Sequence, residues 1–542
     1  MAKRKRENIE TAAAAKALKS NRDDAASAPK QPVTKEVAFR KRKESATNGK
    51  PGANKETQVN TVSEDRNALP DPTTIQVITG SYERVLHGFA ASIPGSLLTG
   101  QGDDSKPEAD RPKVDFTDTF LFNAHASSIR CMALSPLSDE TSKVTLATGS
   151  TDERINLYSI STAPPVASKL RPNLPTLHGG SITENPKNKE LGSLLHHSSN
   201  ITALYFPTRS KLLSSAEDST IAITRTRDWT ALSTIKAPIP KPQGRPSGDT
   251  AGPGEVPSGI NDFAVHPSMK LMLSVGKGEK CMRLWNLVTG KKAGVLNFDR
   301  NILTAVGEGR FASGEGRRVI WDTAGEEFAV GFERGIVVFN IDSKPKAKIA
   351  PAPRTKIHQM HYLPSSSSSS EDHSSSSYLL VSTEDGRVLV YDTSETIQPA
   401  QQAQQQRDQK PTKDDTIPTS RLVAQIGGPA AGMTGRIKDF EIIPLSAHGT
   451  FLVVTGCSDG TVRFWALRTG DLAGKADASE AKGFTALQVG TLLGQYSTGT
   501  RITCLKSFTM TGTPDQEEEE DVVGKAQEDS SSEEDDDNDE SE

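Results

Sequence analysis

The chain has 542 residues, of which 34% are hydrophobic and 25% charged, so it can bury a large core while long segments stay outside it. No apolar run reaches the roughly 18 residues needed to span a bilayer, so we expect a soluble, intracellular protein. Its four cysteines lack CxxC spacing and predict packing residues in a reduced compartment, with no zinc or redox signature: Cys131, Cys281, Cys457 and Cys504.

Charge is segregated at the two ends of the chain. Residues 1–60 hold 15 Lys/Arg and 7 Asp/Glu, a net charge of +8, whereas residues 515–542 hold 1 Lys and 16 Asp/Glu, a net charge of −15. We predict a disordered basic tail over 1–72 and a disordered acidic tail over 513–542. Two basic clusters favour nuclear targeting or RNA-phosphate contact over a merely solvated tail: Lys3, Arg4, Lys5 and Arg6, and Arg40, Lys41, Arg42 and Lys43.

Between the tails, residues 73–512 repeat one pattern of β-strands. The first unit has only three strands, Thr74–Phe89 as a hairpin and then Thr119–His125. Six complete four-strand units follow, beginning at Ile129, Ile201, Ile260, Arg318, Ile357 and Arg436. Low-complexity inserts lengthen the units and lie at 99–115, 161–190, 240–258, 365–377, 395–420 and 472–486.

The seventh unit contains the clearest hairpin, Phe451 to Gly470, which reads FLVVTGCSDGTVRFWALRTG. A β-branched run, a Ser-Asp-Gly turn and an alternating run follow one another in it. One strand is then left over, Arg501 to Phe508, and the first unit is the one that lacks a strand. Pairing of this strand with the first unit would close seven sheets into a ring without exposed edges. The prediction is an all-β, seven-bladed β-propeller closed by the C-terminal strand.

The repeat units resemble WD-repeat β-propellers. The ordered motifs INDFAVHPS, GKGEKCMRLWNLVTGKKAGVLNF, VGEGRFASGEGRR, STEDGRV and TGRIKDFEI are similar to one group, the maintenance-of-killer WD-repeat proteins of fungi, called PAK-interacting proteins in animals. The resemblance covers about residues 73–512 and implies a nucleolar factor that helps to assemble the large ribosomal subunit. In animals it also implies a regulator of p21-activated kinase. The inserts and tails show no shared motif.

Acidic residues recur at one position of the hairpins and favour a structural role over catalysis. Short carboxylates there accept backbone N–H bonds and hold the turn: Asp152, Asp218, Asp385 and Asp459. His125 and His196-His197 lack acids or cysteines at ligand spacing, so they are expected to tie a strand end to its neighbour. Trp285 and Trp465 occupy matching positions and predict packing between blades. We therefore expect no enzyme activity, no metal and no cofactor.

The candidate partner-binding residues are cations at turns and in the loop GEGRFASGEGRR, which does not match a nucleotide-binding loop. These candidates are Lys277, Lys280, Arg310, Arg317, Arg318 and Arg334. All of them except Arg310 are expected on or near the face opposite most inserts. Contact with RNA phosphate or protein and a purely structural loop remain the alternatives. The charged tails favour a nuclear and nucleolar scaffold of pre-60S particles, which binds ribosomal-protein-like factors and could contact precursor rRNA, over a kinase adaptor. A substrate receptor of a ubiquitin ligase stays open as a third class, since fold does not fix function.

Overall fold

A computed structural model describes most of the repeat region. The described residues are 72–99, 112–138, 141–165, 174–175, 181–182, 185, 187–239, 258–309, 312–364, 377–397, 417–445, 449–472 and 486–511. The two predicted tails lie outside these ranges, except for residue 72 at the end of the first tail. Arg310 also lies outside them.

Strand pairing among the described residues gives seven four-stranded antiparallel units. Within each unit, successive strands in the order below are hydrogen-bonded to each other. Unit 1 contains β30 (Ile502–Thr509), β1 (Thr73–Ser81), β2 (Val85–Ile93) and β3 (Asp115–Asn123). Unit 2 contains β4 (Ile129–Leu134), β5 (Lys143–Ser150), β6 (Ile155–Ser161) and β9 (Lys189–Leu194). Unit 3 contains β10 (Ile201–Thr208), β11 (Lys211–Ala216), β12 (Thr220–Arg225) and β13 (Ala231–Lys236).

The same order holds in the second half of the chain. Unit 4 contains β14 (Ile260–Val265), β15 (Leu271–Gly276), β16 (Cys281–Asn286) and β17 (Lys291–Asn297). Unit 5 contains β18 (Arg318–Trp321), β19 (Glu327–Gly331), β20 (Ile336–Asn340) and β21 (Pro345–Ile349). Unit 6 contains β22 (Ile357–Tyr362), β23 (Tyr378–Thr383), β24 (Arg387–Ile397) and β25 (Thr419–Gly427). Unit 7 contains β26 (Ile437–Pro444), β27 (Thr450–Cys457), β28 (Thr461–Arg468) and β29 (Thr491–Ser497).

Short elements complete the described chain. Two strands of the 161–190 insert, β7 (Leu174–Pro175) and β8 (Ser181–Ile182), pair with each other, and β8 adds a single parallel bridge to β3. A similar bridge, between Lys348 and Thr419, joins units 5 and 6. The helices are α1 (Gly95–Thr99), α2 (Arg300–Ala305) and α3 (Thr469–Leu472), with one 3-10 turn at Pro429–Ala431.

The unit around Asp459 shows why the sequence folds this way. All eight residues of β27 are buried, which matches its continuous apolar and β-branched run, whereas β29 is mostly exposed. The turn between β27 and β28 needs a residue with positive φ, and Gly460 supplies it at +87°. A Cβ at this position would lie 2.7 Å from the carbonyl oxygen of Thr500, so the glycine also permits close approach of the next loop.

The strand left over in the sequence pairs where it was predicted to pair. β30 lies antiparallel to β1, with partners from Ile75–Thr509 to Ser81–Ile502 and a register shift at Gly80/Ser81. The chain therefore completes unit 1 with residues more than 400 positions away. This pairing leaves β1 with a partner on each side.

Among the described residues, the hydrophobic core consists of seven clusters of buried side chains that lie between successive units. Each cluster draws its side chains from two neighbouring units, such as Ile129 of unit 2 with Phe508 of unit 1. One cluster joins units 7 and 1 through Val454, Phe464 and Leu505. The remaining five clusters join units 2 and 3, 3 and 4, 4 and 5, 5 and 6, and 6 and 7. The clusters thus connect each unit to the next and connect unit 7 to unit 1.

Candidate functional site: a face lined by cations at strand starts

Two of the turn aspartates hold a histidine from the loop that precedes their unit. His125 Nδ1 lies 3.0 Å from Asp152 Oδ2, and its Nε2 lies 2.8 Å from Thr148 Oγ1. His197 makes the equivalent contact with Asp218, at 3.1 Å. Burial lowers the pKa of His125, so a neutral ring donates from Nδ1 to the carboxylate and accepts the Thr148 hydroxyl at Nε2.

The other two turn aspartates act within their own hairpins. Asp385 accepts hydrogen bonds from the buried guanidinium of Arg387, at 3.0 and 2.6 Å, and Asp459 accepts the backbone N–H of Thr461 at 2.9 Å. Trp465 is buried in unit 7 and donates its indole N–H to Thr455 Oγ1, at 3.3 Å. In unit 4, Trp285 is also buried and donates to Ser274 Oγ, at 2.8 Å. These acids and tryptophans satisfy structural bonds at equivalent turns and strands.

The two lysines predicted to bind a partner differ in their surroundings in the structure. Lys277 Nζ lies 2.5 Å from Glu217 Oε1 of the neighbouring unit, and Arg130 of unit 2 approaches the same carboxylate at 3.6 Å. Glu217 thus links three units, and Lys277 already has a charged partner. Lys280 is exposed three residues later, at the end of the same turn, beside Gly314. A role for either lysine in partner binding stays a prediction.

The predicted arginines of unit 5 lie close to one another. Arg317 is exposed and lies 3.4 Å from Glu333, and Arg318 donates from Nε to the carbonyl oxygen of His358 at 3.2 Å. Arg334 is exposed at the turn beside Glu333. The pKa of Glu333 is lowered by its contact with Lys356 first, and also by Arg317 and Arg334. Arg317, Arg318 and Arg334 therefore share one region of the surface, whereas Arg310 and the two basic clusters of the tail lie outside the described residues.

Sequence reasoning missed a set of cations at the starts of the first strands. In six units the residue before the first strand accepts, through its carbonyl oxygen, the N–H of the hairpin turn in the same unit. This position is Ser128, Asn200 and Gly259 in units 2, 3 and 4, but Lys356, Arg436 and Arg501 in units 6, 7 and 1. The signal was present as a cation followed by isoleucine in KIHQM, RIKDF and RITCL.

The cations at these positions lie close to further cations of units 5 and 7, and the group is here called the cationic arc. It consists of Arg317, Arg318, Lys356, Arg436, Lys438 and Arg501. Burial lowers the pKa of Lys438, and the neighbouring charges of Arg436, Arg501 and Lys356 lower it further. The arc brings together residues from four successive units of the ring of contacts, units 5, 6, 7 and 1.

His358 lies among the cations of the arc. Burial lowers its pKa to about 4, and four cations of the arc lower it further: Lys438, Arg318, Arg436 and Lys356. The ring is therefore neutral at pH 7, and its buried Nε2 has no hydrogen-bond partner among the described residues. A neutral imidazole in this place adds no charge but can donate or accept one hydrogen bond.

Carboxylates balance only part of the cationic arc. Glu333 lies 3.1 Å from Lys356, and Glu384 lies 3.1 Å from Arg436. Within the described part of the chain, neither Lys438 nor Arg501 has a side-chain carboxylate at ion-pairing distance. The guanidinium of Arg501 instead lies over the ring of Tyr82, 5.5 Å from its centroid. The arc therefore carries unpaired positive charge suited to an anionic partner.

Metal sites and membrane-spanning helices are not found among the described residues. No group of three or more His, Cys, Asp or Glu side chains there could hold a metal ion. No described helix is long and apolar enough to cross a membrane. The four cysteines are free thiols, and burial raises the pKa of Cys131 and of Cys457 to about 12, so neither is a thiolate at pH 7.

Comparison with known proteins agrees with the sheet pattern. Residues 116–159, 188–224 and 434–466 match the family described as WD domain, G-beta repeat. The chain is 29% identical to Protein MAK11 of Saccharomyces cerevisiae over 433 residues, which cover 76% of this chain and 83% of that protein. It is 24% identical to the p21-activated protein kinase-interacting protein 1-like proteins of Xenopus laevis, over 82% of this chain and 85% of the relative, and of Danio rerio, over 80% of each.

The four-stranded units, the turn aspartates with their histidines and the matched repeats define a WD-repeat protein with a β-propeller fold. Within that class, the chain belongs to the family of WD-repeat proteins that includes MAK11 and the p21-activated protein kinase-interacting proteins. The motifs quoted from the sequence pointed to the same family.

Proposed function

We propose that the seven units close into one seven-bladed propeller and that the protein is a non-enzymatic scaffold in biogenesis of the large, 60S, ribosomal subunit. The observation that carries this proposal is membership of the MAK11 family over most of both chains. A nuclear and nucleolar location, with pre-60S proteins and precursor rRNA as partners, follows from the proposal. The two basic clusters near the N-terminus would supply nuclear targeting.

The propeller would act by presenting binding surfaces, since its polar side chains are engaged in structural contacts. Asp152 and Asp218 hold histidines, Asp385 holds Arg387, and Lys277 pairs with Glu217. The cationic arc, in contrast, has charge to offer a partner. An assembly scaffold needs such a surface and no reaction centre.

Affinity purification of the tagged full chain from its native cells tests the proposal, with RNA sequencing and mass spectrometry of the bound material. We expect large-subunit precursor RNA and pre-60S proteins to be enriched over a purification of the tag alone. Enrichment of small-subunit precursors only, or of no ribosomal precursor, would contradict it.

A second candidate function is a signalling adaptor that binds and restrains a p21-activated protein kinase. The observation that favours it is the similarity to several relatives named p21-activated protein kinase-interacting protein 1-like. The same purification separates the two functions. A kinase of this class recovered without ribosomal precursors would favour the adaptor.

A further inference from the structure

We infer that the cationic arc binds the sugar-phosphate backbone of single-stranded RNA and that Tyr82, beside Arg501, stacks on one of its bases. This inference rests on the proposed function, since a ribosomal precursor is the source of such RNA. It goes further by assigning the RNA contact to one face, one set of units and one aromatic side chain.

The arrangement of charge is the first argument. The cations at the strand starts come from successive units, so they form a row across units 6, 7 and 1 and are not gathered at a single point. Lys438 and Arg501 have no carboxylate at ion-pairing distance among the described residues, although Glu384 attracts Lys438 from farther away, and an anion would relieve their mutual repulsion. A chain of phosphates offers one negative charge per nucleotide, which matches a row of cations better than a single anion would.

The exposed aromatic ring is the second, independent argument. Tyr82 lies in the turn between β1 and β2, and its side chain is 60% exposed. Its backbone N–H donates to the carbonyl oxygen of Arg501 at 2.9 Å, which holds the ring next to the arc. Proteins that bind single strands combine a positively charged groove with aromatic rings on which bases stack, often with an arginine nearby.

The ring also distinguishes this partner from others of the same charge. An acidic peptide would use the cations of the arc but has no base to place on Tyr82. Double-stranded RNA offers phosphates, but its bases are stacked on each other and are not free. The combination of a cation row with an exposed ring therefore favours a single strand.

The test uses the purified full chain, a fluorescent 20-nucleotide uridine RNA, a double-stranded RNA of equal length and an acidic peptide of poly-glutamate. The charge variant is Lys438→Gln with Arg501→Gln, which removes two cations without breaking an ion pair among the described residues. Its matched control is Lys291→Gln with Lys292→Gln, which removes two exposed cations from the outer strand β17. The stacking variant is Tyr82→Ala. Thermal melting shows that each variant is folded.

We expect the charge variant to bind the uridine RNA roughly tenfold or more weakly than its control. The slope of log affinity against log salt concentration should become shallower by about 1.4, since each lost phosphate contact in a single strand contributes about 0.7. Tyr82→Ala should weaken binding roughly 5- to 150-fold with little change in the salt slope. For each variant, the fold-change in affinity for poly-glutamate should be no larger than the fold-change in affinity for the uridine RNA.

Equal RNA binding by the charge variant and its control would overturn the inference. So would a charge variant that loses poly-glutamate but retains RNA, because the arc would then be an acidic-protein site. RNA containing 4-thiouridine gives a second measurement if a variant is unstable: crosslinks should map to the peptides that contain Tyr82 and Arg501, and crosslinks confined to residues 1–72 would refute the assignment.

The results distinguish failure of this inference from failure of the proposed function. If precursor RNA co-purifies with the wild-type chain and equally with the charge variant, and the variant also binds the uridine RNA normally, the scaffold role stands and the arc is not the RNA site. If the arc binds single-stranded RNA but no ribosomal precursor co-purifies, the assignment of the arc stands and the proposed function falls.

Discussion

A chain that ends at Gly499 lacks β30, and we expect it not to fold. β30 pairs with β1 over seven positions of β1, from Ile75 to Ser81, so its removal opens a long edge in unit 1. An exposed edge of this kind is a template for aggregation. Loss of the strand also removes one side of two core clusters, those between units 7 and 1 and between units 1 and 2.

The magnitude can be worked from the buried side chains of β30. Ile502 and Leu505 are fully buried against unit 7, and Phe508 is 5% exposed against unit 2. Burial of one such side chain contributes about 1.5–3 kcal/mol, so the three together contribute about 5–9 kcal/mol. The whole free energy of unfolding of a domain is about 5–15 kcal/mol. The truncation therefore removes an amount comparable to the total.

Thermal melting followed by circular dichroism, with light scattering for aggregation, measures the effect. A chain that ends at Thr513 is the control, and its melting temperature should stay within about 2 °C of the full chain. Point variants within β30 refine the test: Leu505→Ala should cost about 2–5 kcal/mol. Ser507→Ala removes a buried hydroxyl without a described hydrogen-bond partner and should be nearly neutral. A Gly499 chain as soluble and as stable as the full chain would refute the closure.

Three further predictions concern the turns and the packing of the units. Burial raises the pKa of Asp218, but its hydrogen bonds to His197 and Thr220 outweigh this effect and lower the pKa to about 2. The ionised carboxylate therefore stabilises the fold above about pH 4, and this contribution is lost as the pH falls towards 2. Asp218→Asn should lower stability at pH 7 and flatten this part of an acid titration followed by fluorescence. Gly88→Ala should cost about 1–3 kcal/mol in denaturant unfolding, because its Cβ would lie 2.3 Å from a phenylalanine ring of β3, whereas Gly470→Ala meets no atom within 4 Å and should be neutral. Lys277→Glu places two carboxylates together and should lower the melting temperature, and the second change Glu217→Lys should restore part of the loss.

The sequence predicted the strands well wherever burial dictates the residue type. The second and third strands of each unit are buried on both faces, so runs such as Phe451–Val454 carry a strong apolar signal. The outermost strands carry a weaker signal, and the fourth strand of unit 7 lies at Thr491–Ser497, three residues later than the predicted Gln488–Leu493. Exposed residues there are not constrained to be apolar. Helix α2 and strands β7 and β8 were not predicted, because they are short and β8 is held by only one bridge to a distant strand.

The candidate site was only partly predictable. Arg317 and Arg318 were found because they lie in a conspicuous glycine-rich loop, and the structure places both in the cationic arc. Lys356, Lys438 and Arg501 were missed because they are far apart in sequence and each looks like an ordinary surface cation. Only the register of the first strands, shared by several units, shows that they occupy related positions on one face. Contacts between units decide such sites, and a single unit does not reveal them.

The fold does not account for the choice of cations in the arc. At the position before the first strand, the structural bond is made by a backbone carbonyl oxygen, so any side chain can serve there, as Ser128 and Gly259 do in other units. Cations at three neighbouring units instead raise the electrostatic cost of Lys438, whose pKa is lowered by burial and by these charges. Lys356 and Arg436 offset part of this cost through their ion pairs with Glu333 and Glu384. Lys438 and Arg501 have no carboxylate at ion-pairing distance among the described residues, so these two are best explained by what they bind. An anionic partner that neutralises Lys438 and Arg501 should therefore raise the melting temperature of the wild-type chain more than that of a chain in which both are glutamine.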